Sequence, residues 1–251
     1  KDEIKSFFGA YNLNVFIDKA LKQYSVDFIK ARINNVRGHG IPAIGNSKMF
    51  FLNGIKQKYN DENLITTSKK IIAYKKYCDS IGIEFFASVF YPEAVEFLES
   101  IKVKRYKIAS RTCTLKDPYS IETIEKIGIT KKPTIISMGM GGNKKMIKQK
   151  ISNNKDLFCY CISKYPTKIS EINWKKAMEY NGFSDHTLGF TAPIIFSVLH
   201  KQKGTKKIFI EKHVKNKNSK GPDASSSMTT EELTKMISTI RNIEKLSIKN
   251  I

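Results

Sequence analysis

The sequence lacks any apolar run near the roughly 20 residues that a membrane-spanning helix requires. Its first residues, Lys1 to Lys5, are too polar for a secretory signal peptide. Only four cysteines occur, and none forms the C-x-x-C pair typical of zinc sites and redox centres. We therefore expect a cytoplasmic protein without membrane contact, whose thiols are reduced and partly buried. The cysteines are Cys78, Cys113, Cys159 and Cys161.

Acidic residues are also few, because 23 Asp and Glu stand against 44 Lys and Arg, which gives a formal net charge of +21. A basic surface of that size is able to attract nucleic acid, an acidic membrane or anionic substrates. The lysines, however, are spread over nearly every segment and accompany many asparagines and isoleucines. No basic stripe carries interleaved aromatic residues, so the charge indicates a solvated surface and does not favour nucleic acid as a partner.

A third absence concerns glycine. No G-x-G-x-x-G turn follows the first apolar run, although a doubly wound open sheet normally carries one there. The nearest approach, Gly139-Met140-Gly141-Gly142, lacks the spacing and is typical of a tight turn. The doubly wound sheet is therefore the alternative architecture rather than the favoured one.

Short apolar runs alternate with segments of helical period, which predicts repeated βα units and a parallel sheet. An eighth strand would have to precede the first predicted helix, Asn14 to Tyr24, and the only candidate is Asp2 to Phe8. Eight units in 251 residues predict one (β/α)₈ TIM barrel, a single domain over residues 1–251. The other seven predicted strands are Asp27–Arg32, Glu84–Phe90, Arg105–Ala109, Thr134–Met138, Leu157–Ile162, Gly182–Ser184 and Lys207–Lys212.

Between the strands, apolar residues recur at helical spacing. The stretch Ile33–Ile65 shows little periodicity and is predicted to be a long loop over the barrel mouth. Thr229 and Glu232 have the spacing of a capping box that opens the last helix. The predicted inward faces are Ile71, Tyr74, Cys78 and Ile81; Ile121, Ile124 and Ile127; Ala192, Ile195, Phe196 and Leu199; and Leu233, Met236, Ile237 and Ile240.

Polar residues cluster where the predicted strands end, which is where a barrel builds its site. His186 and His213 follow two strands adjacent in a barrel, so both imidazoles are placed to reach one divalent ion. Lys30 and Lys107, with hydroxyls nearby, predict a pocket for an anion that bears carboxylate and phosphate. His39 and His200 have no such partner and are interpreted as structural. The remaining strand-end residues are Arg32, Ser88, Ser110, Ser137, Ser163, Tyr165, Ser184 and Glu211.

Several strings, in order over almost the whole chain, resemble motifs of the sialic acid synthase family. These are Tyr106-Lys107-Ile108-Ala109-Ser110, Cys161-Ile162-Ser163-Lys164-Tyr165-Pro166, Phe183-Ser184-Asp185-His186-Thr187-Leu188-Gly189, Glu211-Lys212-His213 and Gly221-Pro222-Asp223. The family comprises metal-assisted transferases that condense phosphoenolpyruvate with N-acetylmannosamine or a related 2-acetamido sugar. The products are a nine-carbon sialic-type acid and phosphate.

The resemblance implies a role for each candidate residue. His186 and His213 would hold the divalent metal, Mn²⁺ or Mg²⁺, and Asp223 would accept hydrogen bonds from the sugar. The resemblance also implies a homodimer, and this chain would be the barrel domain without the family's C-terminal antifreeze-like domain. Phosphoenolpyruvate would be bound by Lys30, Lys107, Ser88, Ser110, Ser163, Tyr165 and Ser184.

The departures from the family pattern fall mostly on the sugar side. Lys30-Ala31-Arg32 stands where the family usually has Lys-Phe-Gln, which places the cation of Arg32 at a sugar-binding position. Arg111 and Thr112 replace a glycine and an acidic residue. Arg32 or Arg111 is then a candidate source of the charge that an arginine of the antifreeze-like domain supplies. The alternative function is a non-catalytic barrel that binds a sugar or phosphate ligand.

Overall fold

The computed structural model describes residues 28–31, 61–80, 82, 84–116, 118–151, 155–215 and 223–246. All seven strands predicted downstream of residue 26 are present and lie within a residue or two of their predicted ends. The predicted strand Asp2–Phe8 and the predicted helix Asn14–Tyr24 lie outside the described residues. The chain divides into two compact units.

The N-terminal unit consists of the described residues of Val26–Ile136 and Met140–Asp156. Neighbouring strands are parallel throughout, with Lys30 opposite Phe86, Ser88 opposite Lys107 and Lys107 opposite Ile135. Its elements are β1 (Phe28–Ala31), α1 (Asp61–Ser80), β2 (Glu84–Val89), α2 (Pro92–Ser100), β3 (Tyr106–Ile108), a 3₁₀ turn (Thr112–Thr114), α3 (Pro118–Thr130), β4 (Thr134–Ser137) and α4 (Lys144–Ile151).

The C-terminal unit consists of Ser137–Gly139 and the described residues of Leu157–Ile251. Its strands are again parallel, and Asp185 of the sixth strand lies opposite Lys212 of the seventh. Its elements are β5 (Leu157–Cys161), a 3₁₀ turn (Ile169–Glu171), α5 (Trp174–Ala177), β6 (Gly182–Asp185), α6 (Thr191–Gln202), β7 (Phe209–Lys212), a 3₁₀ turn (Ala224–Ser226) and α7 (Thr230–Lys245).

Strands β2 to β6 are almost entirely buried on both faces, as parallel strands covered by helices are. Every residue of β4 and β6 is buried, and in β2 only Glu84 is partly exposed. The core of the C-terminal unit is built around Phe183 of β6, whose ring stacks on Phe196 of α6 at 5.1 Å and on Tyr160 of β5 at 6.0 Å between centroids. These strands are therefore rigid supports for the residues that follow them.

The long loop predicted over Ile33–Ile65 is wrong at its end, because α1 begins at Asp61. The helix therefore starts before the apolar periodicity that predicted it. The rest of that stretch, residues 33–60, lies outside the described residues.

The predicted helix faces are correct near their centres and shifted at their edges. Ile71, Tyr74 and Cys78 of α1 are buried as predicted. In α3, however, Ile121 is 39% exposed, since a repeat of three residues drifts around a helix of 3.6 residues per turn. The buried stripe follows i, i+3, i+4, i+7 instead, through Ser120, Thr123, Ile124 and Ile127.

The last two helices show the same shift. In α6 the fully buried positions are Ala192, Pro193, Phe196, Ser197 and His200, while Ile195 and Leu199 are half-buried. In α7 the predicted capping box is confirmed, with Glu232 N donating to Thr229 Oγ1 and Thr229 N donating to the Glu232 carboxylate. Leu233 and Met236 are buried there, Ile237 and Ile240 are half-buried, and Ile243 is buried without having been predicted.

All four cysteines lie in the described part of the chain, where they are free thiols and fully buried rather than partly buried. Among the described helices, none combines the length and the apolar character needed to cross a membrane.

Candidate active site

The turn that follows β6 is closed by the side chain of Asp185. One of its carboxylate oxygens accepts from Thr187 N at 2.9 Å, and the other accepts from Thr187 Oγ1 at 3.0 Å. His186 lies between these two residues, and its carbonyl oxygen accepts from Thr167 N at 2.9 Å. The backbone of His186 is thus held by its own turn on one side and by the segment after β5 on the other.

A buried ion pair joins this turn to β7. Lys212 Nζ lies 2.6 Å from Asp185 Oδ2, and both side chains are almost inaccessible to solvent. The same ammonium donates to Thr187 O at 2.5 Å. Burial lowers the pKa of Lys212 below its usual range, although the charge of Asp185 and its hydrogen bond act in the opposite direction.

His213 follows Lys212 directly, and its ring lies 5.3 Å from the ring of His186 between centroids. His186 Nδ1 is 2.6 Å from Ile162 O. Because a carbonyl oxygen only accepts, Nδ1 carries the proton, and in the neutral imidazole Nε2 then keeps its lone pair for another partner. His213 Nδ1 lies 3.8 Å from Asp223 Oδ2, so the second imidazole also has a carboxylate beside it.

These residues fit a divalent metal ion. A neutral imidazole whose other nitrogen donates to a carbonyl is the usual form of a histidine ligand, and His186 has that arrangement. In the part of the chain that the structure describes, no group of three or more His, Cys, Asp and Glu side chains is arranged to hold a metal. Two imidazoles with open positions left for oxygen ligands suit a metal that works on a substrate rather than a closed structural site.

Hydroxyl groups and a thiol surround the histidines. The Tyr165 ring lies 4.2 Å from the His186 ring and 5.7 Å from the His213 ring between centroids. Cys161 Sγ is 3.8 Å from His186 Nδ1 and 4.0 Å from Ser163 Oγ. Ser184, one residue before Asp185, is 3% exposed. The structure therefore brings together most of the predicted site residues that follow β5, β6 and β7.

Gly139 belongs to the same group of residues and was missed by the sequence analysis as a site residue. A Cβ atom at this position would lie 2.7 Å from Cys161 Sγ and 2.7 Å from Ser163 Oγ. Glycine thus allows the turn after β4 to approach the end of β5. The Gly-Met-Gly-Gly run was a visible signal, but it was interpreted as a tight turn with amides able to contact an anion and not as a close approach to β5.

The predicted anion-binding residues of the N-terminal unit lie on adjacent strands. Lys107 is 2% exposed and its Nζ donates to Ile108 O at 3.1 Å, and Ser88 lies opposite Lys107 in the register of β2 and β3. Ser88 and Ser110 are both buried. Lys30 lies in β1 opposite Phe86, whereas Arg32 lies outside the described residues.

Two further predictions concern single residues. His200 was interpreted as structural, and this is confirmed: it is 1% exposed, its Nδ1 lies 2.9 Å from Thr205 Oγ1, and its ring lies 4.3 Å from that of Phe196. His39 lies outside the described residues. Thr112, at the position where the family has an acidic residue, is buried in the 3₁₀ turn after β3.

The residues that sequence reasoning missed altogether are Asp185 and Lys212 as a pair. Both residues occur in the Ser-Asp-His and Glu-Lys-His strings, but neither was predicted to have a role. A signal was present, because each places a charged residue at the end of an apolar strand directly before a histidine. A buried charge needs a partner, so two of opposite sign on neighbouring strands indicate an ion pair.

Parallel βα units with catalytic-type side chains at the strand ends define an α/β protein whose site follows its strands. A family model described as the NeuB family matches residues 52–250, and the chain belongs to this family. The chain is 33% identical over 198 residues to an uncharacterised protein of Methanocaldococcus jannaschii, a match that covers 74% of this chain and 56% of that protein.

The chain also resembles a characterised relative and a solved structure. The N,N'-diacetyllegionaminic acid synthase of Legionella pneumophila is 31% identical over 183 residues, covering 66% of this chain and 48% of that protein. The chain therefore spans about half the length of the curated relatives it matches. The crystal structure of the N-acetylneuraminic acid (sialic acid) synthetase of Leptospira borgpetersenii, in complex with citrate, has a TM-score of 0.70 at 22% identity. That match covers 98% of this chain and 83% of the other, and it shows the fold.

Proposed function

We propose that this chain is a transferase that condenses phosphoenolpyruvate with N-acetylmannosamine or a related 2-acetamido sugar. The products would be a nine-carbon sialic-type acid and phosphate. The observation that carries the proposal is the pairing of His186 and His213, which two neighbouring parallel strands hold with their ring centroids 5.3 Å apart. Membership of a family with legionaminic acid and sialic acid synthases among the relatives supports the same reaction.

The metal would be Mn²⁺ or Mg²⁺, held by His186 and His213. When bound, it would supply a Lewis acid that polarises the open-chain aldehyde of the sugar for attack by C3, the methylene carbon of phosphoenolpyruvate. The new C–C bond would form between C3 and the aldehyde carbon, and the aldehyde oxygen would take up a proton. Water would add at C2 and lose a proton, and the C2–O bond to phosphate would break to release phosphate and leave the 2-oxo acid. Tyr165 packs against both imidazole rings and would help to fix their orientation.

The remaining residues bind and orient the two substrates. Lysine ammonium groups offset the carboxylate and phosphate charges, and a buried ammonium such as that of Lys107 acts in a low dielectric, where each contact is stronger. Asp223 would accept hydrogen bonds from the sugar. The residues assigned to phosphoenolpyruvate are Lys30, Lys107, Ser88, Ser110, Ser163, Tyr165 and Ser184.

The proposal includes the finer architecture. We propose that the parallel strands belong to a (β/α)₈ TIM barrel that forms one domain over residues 1–251. A homodimer and a cytoplasmic location stay predictions. Arg32 stays a predicted substrate-binding residue, and its substitution by Gln would leave the kinetics with every accepted sugar unchanged if the prediction were wrong.

The test is phosphate release from phosphoenolpyruvate with Mn²⁺ across a panel of 2-acetamido sugars, with a control that contains no sugar. We expect release that depends on one class of sugar and that is lost in His213→Ala. The matched control is His200→Gln, which changes a buried histidine that contacts Thr205 and Phe196 rather than the paired imidazoles. This variant should retain sugar-dependent release at neutral pH.

The alternative, a non-catalytic barrel, predicts a different result. In that case the chain would bind phosphoenolpyruvate or a sugar phosphate, yet no sugar in the panel would trigger release. The specific feature that favours this alternative is Thr112, which replaces the family's acidic residue and is buried.

A further inference from the structure

We infer that the buried ion pair between Asp185 and Lys212 is a positioning device that sets the spacing and direction of the two imidazoles. The inference deepens the proposed function and rests on its metal site. The two residues of the pair influence the imidazoles indirectly. Each acts through the backbone, because each directly precedes one of the histidines in the chain.

The strand register places the pair where it controls both histidines at once. Asp185 and Lys212 lie directly opposite each other as the last residues of β6 and β7. The bond between Oδ2 and Nζ, at 2.6 Å, thus ties the two strands together at the point where His186 and His213 begin. Any shift of one strand end along the other would break this bond.

The hydrogen bonds of the pair leave little freedom. Asp185 uses both oxygens on Thr187, and Lys212 donates to the carbonyl of Thr187 as well as to the carboxylate. Three hydrogen bonds therefore hold the turn that contains His186. His213 is held from the other side, since its carbonyl accepts from Met228 N at 2.9 Å. Hydrogen bonds therefore hold the backbone at both His186 and His213.

Stability alone does not account for this pair. Burying two opposite charges is costly, and an apolar pair of similar volume is often equal or better for stability. The same two strands show such a pair two residues earlier, where Phe183 lies opposite Ile210 on the same face. A directional, hydrogen-bonded pair two residues later offers what an apolar contact does not, namely a fixed register at the histidines.

The test removes both charges together, so that no buried charge is left alone. In the double variant Asp185→Asn/Lys212→Met, we expect the affinity for Mn²⁺ alone to fall by about 10- to 100-fold, the range found when residues that support metal ligands are lost. Binding is followed by the electron paramagnetic resonance signal of free Mn²⁺, without phosphoenolpyruvate or sugar. Circular dichroism checks that the variant is folded at the temperature used.

The matched control is an ion pair of the N-terminal unit, which carries neither histidine. Arg105 donates to both carboxylate oxygens of Glu84, with Nη2 and Oε2 3.0 Å apart, and the pair links the starts of β2 and β3. The double variant Glu84→Gln/Arg105→Met should lose thermal stability but keep the Mn²⁺ affinity of the wild type. A purely structural role for Asp185 and Lys212 predicts that the two double variants behave alike.

The outcomes separate the inference from the proposed function. Wild-type chain that binds no Mn²⁺ would refute the metal site itself and the inference with it. Wild type that binds Mn²⁺ together with a folded Asp185→Asn/Lys212→Met variant of equal affinity would refute the inference alone. If that variant does not fold, Lys212→Arg keeps the charge but changes the donor geometry, and an unchanged Mn²⁺ affinity in this variant would likewise overturn the inference.

Discussion

The substitution Gly139→Ala tests whether the close approach of the turn after β4 to the end of β5 serves the site. The added methyl would lie 2.7 Å from both Cys161 Sγ and Ser163 Oγ and 3.0 Å from Cys161 O. Ordinary contacts with a Cβ begin near 3.4 Å, so the neighbours must retreat by about 0.7 Å (3.4 minus 2.7). The backbone carbonyl of Cys161 has no rotamer by which to avoid the methyl group.

The expected magnitudes follow from this displacement. Overpacking of this kind destabilises by about 1–3 kcal/mol, which lowers Tm by roughly 2–4 °C per kcal/mol in a chain of this size. Catalysis should fall as well, because a misplacement of about 1 Å at a reacting centre is able to reduce the rate about 100-fold. We expect kcat/KM for phosphoenolpyruvate to fall by at least about tenfold, since Ser163 and Cys161, which lies beside His186, both move.

Gly141→Ala is the matched control from the same run of residues. Gly141 has a φ of +77° and nothing within 4 Å of an added Cβ. Alanine there is strained by about 1–2 kcal/mol, a stability loss similar to that of Gly139→Ala, but it displaces no neighbour. Thermal melts followed by circular dichroism and steady-state phosphate release compare the two. Equal loss of kcat/KM in both variants, or none in Gly139→Ala, would refute the reasoning.

Two further predictions concern stability. Phe196→Ala removes a fully buried ring that stacks on Phe183 and should destabilise the protein by about 3–5 kcal/mol. The control is Val198→Ala on the same helix, where the side chain is 40% exposed and stability should change by no more than about 0.5 kcal/mol. Comparable urea-unfolding midpoints for the two variants would contradict this prediction. Burial and the charge of Lys203 lower the pKa of His200 below its ordinary 6.5, so the unfolded chain gains a proton that the folded chain resists. Stability is therefore fully present above pH 6.5 and declines as the pH falls below it, and Tm should drop less in His200→Gln than in the wild type between about pH 7.5 and about pH 5.5.

The strands were predictable because apolar runs bounded by polar ends carry the signal directly. Strands covered on both faces, such as Leu157–Cys161, need continuous apolar sequence and show it. Helix faces were predicted less exactly. The apolar positions in α3 suggested a repeat of three, whereas the buried stripe includes Ser120 and Thr123, whose small polar side chains give no hydrophobic signal.

Candidate site residues were predictable where their role follows from the type of side chain and from a position just after a strand. His186, His213 and Tyr165 were recognised in this way, and the structure places their rings together. The supporting groups were not recognised, because Asp185 and Lys212 acquire a role only through the strand register, and Gly139 only through close approach. These are properties of three-dimensional proximity, which a single sequence does not state.

The residues that match the family pattern and those that depart from it bear on which acceptor sugars should be tested. Around the histidines, the ion pair, the closed turn and the flanking carboxylate Asp223 form a consistent set. At Thr112 the acidic residue of the family pattern is replaced by a buried neutral hydroxyl, so a site carboxylate that would accept hydrogen bonds is missing there. A site that loses an acceptor discriminates against a ligand that needs it, because the polar group of the ligand would be left unpaired. The acceptor panel that tests the proposed reaction therefore has to be broader than N-acetylmannosamine.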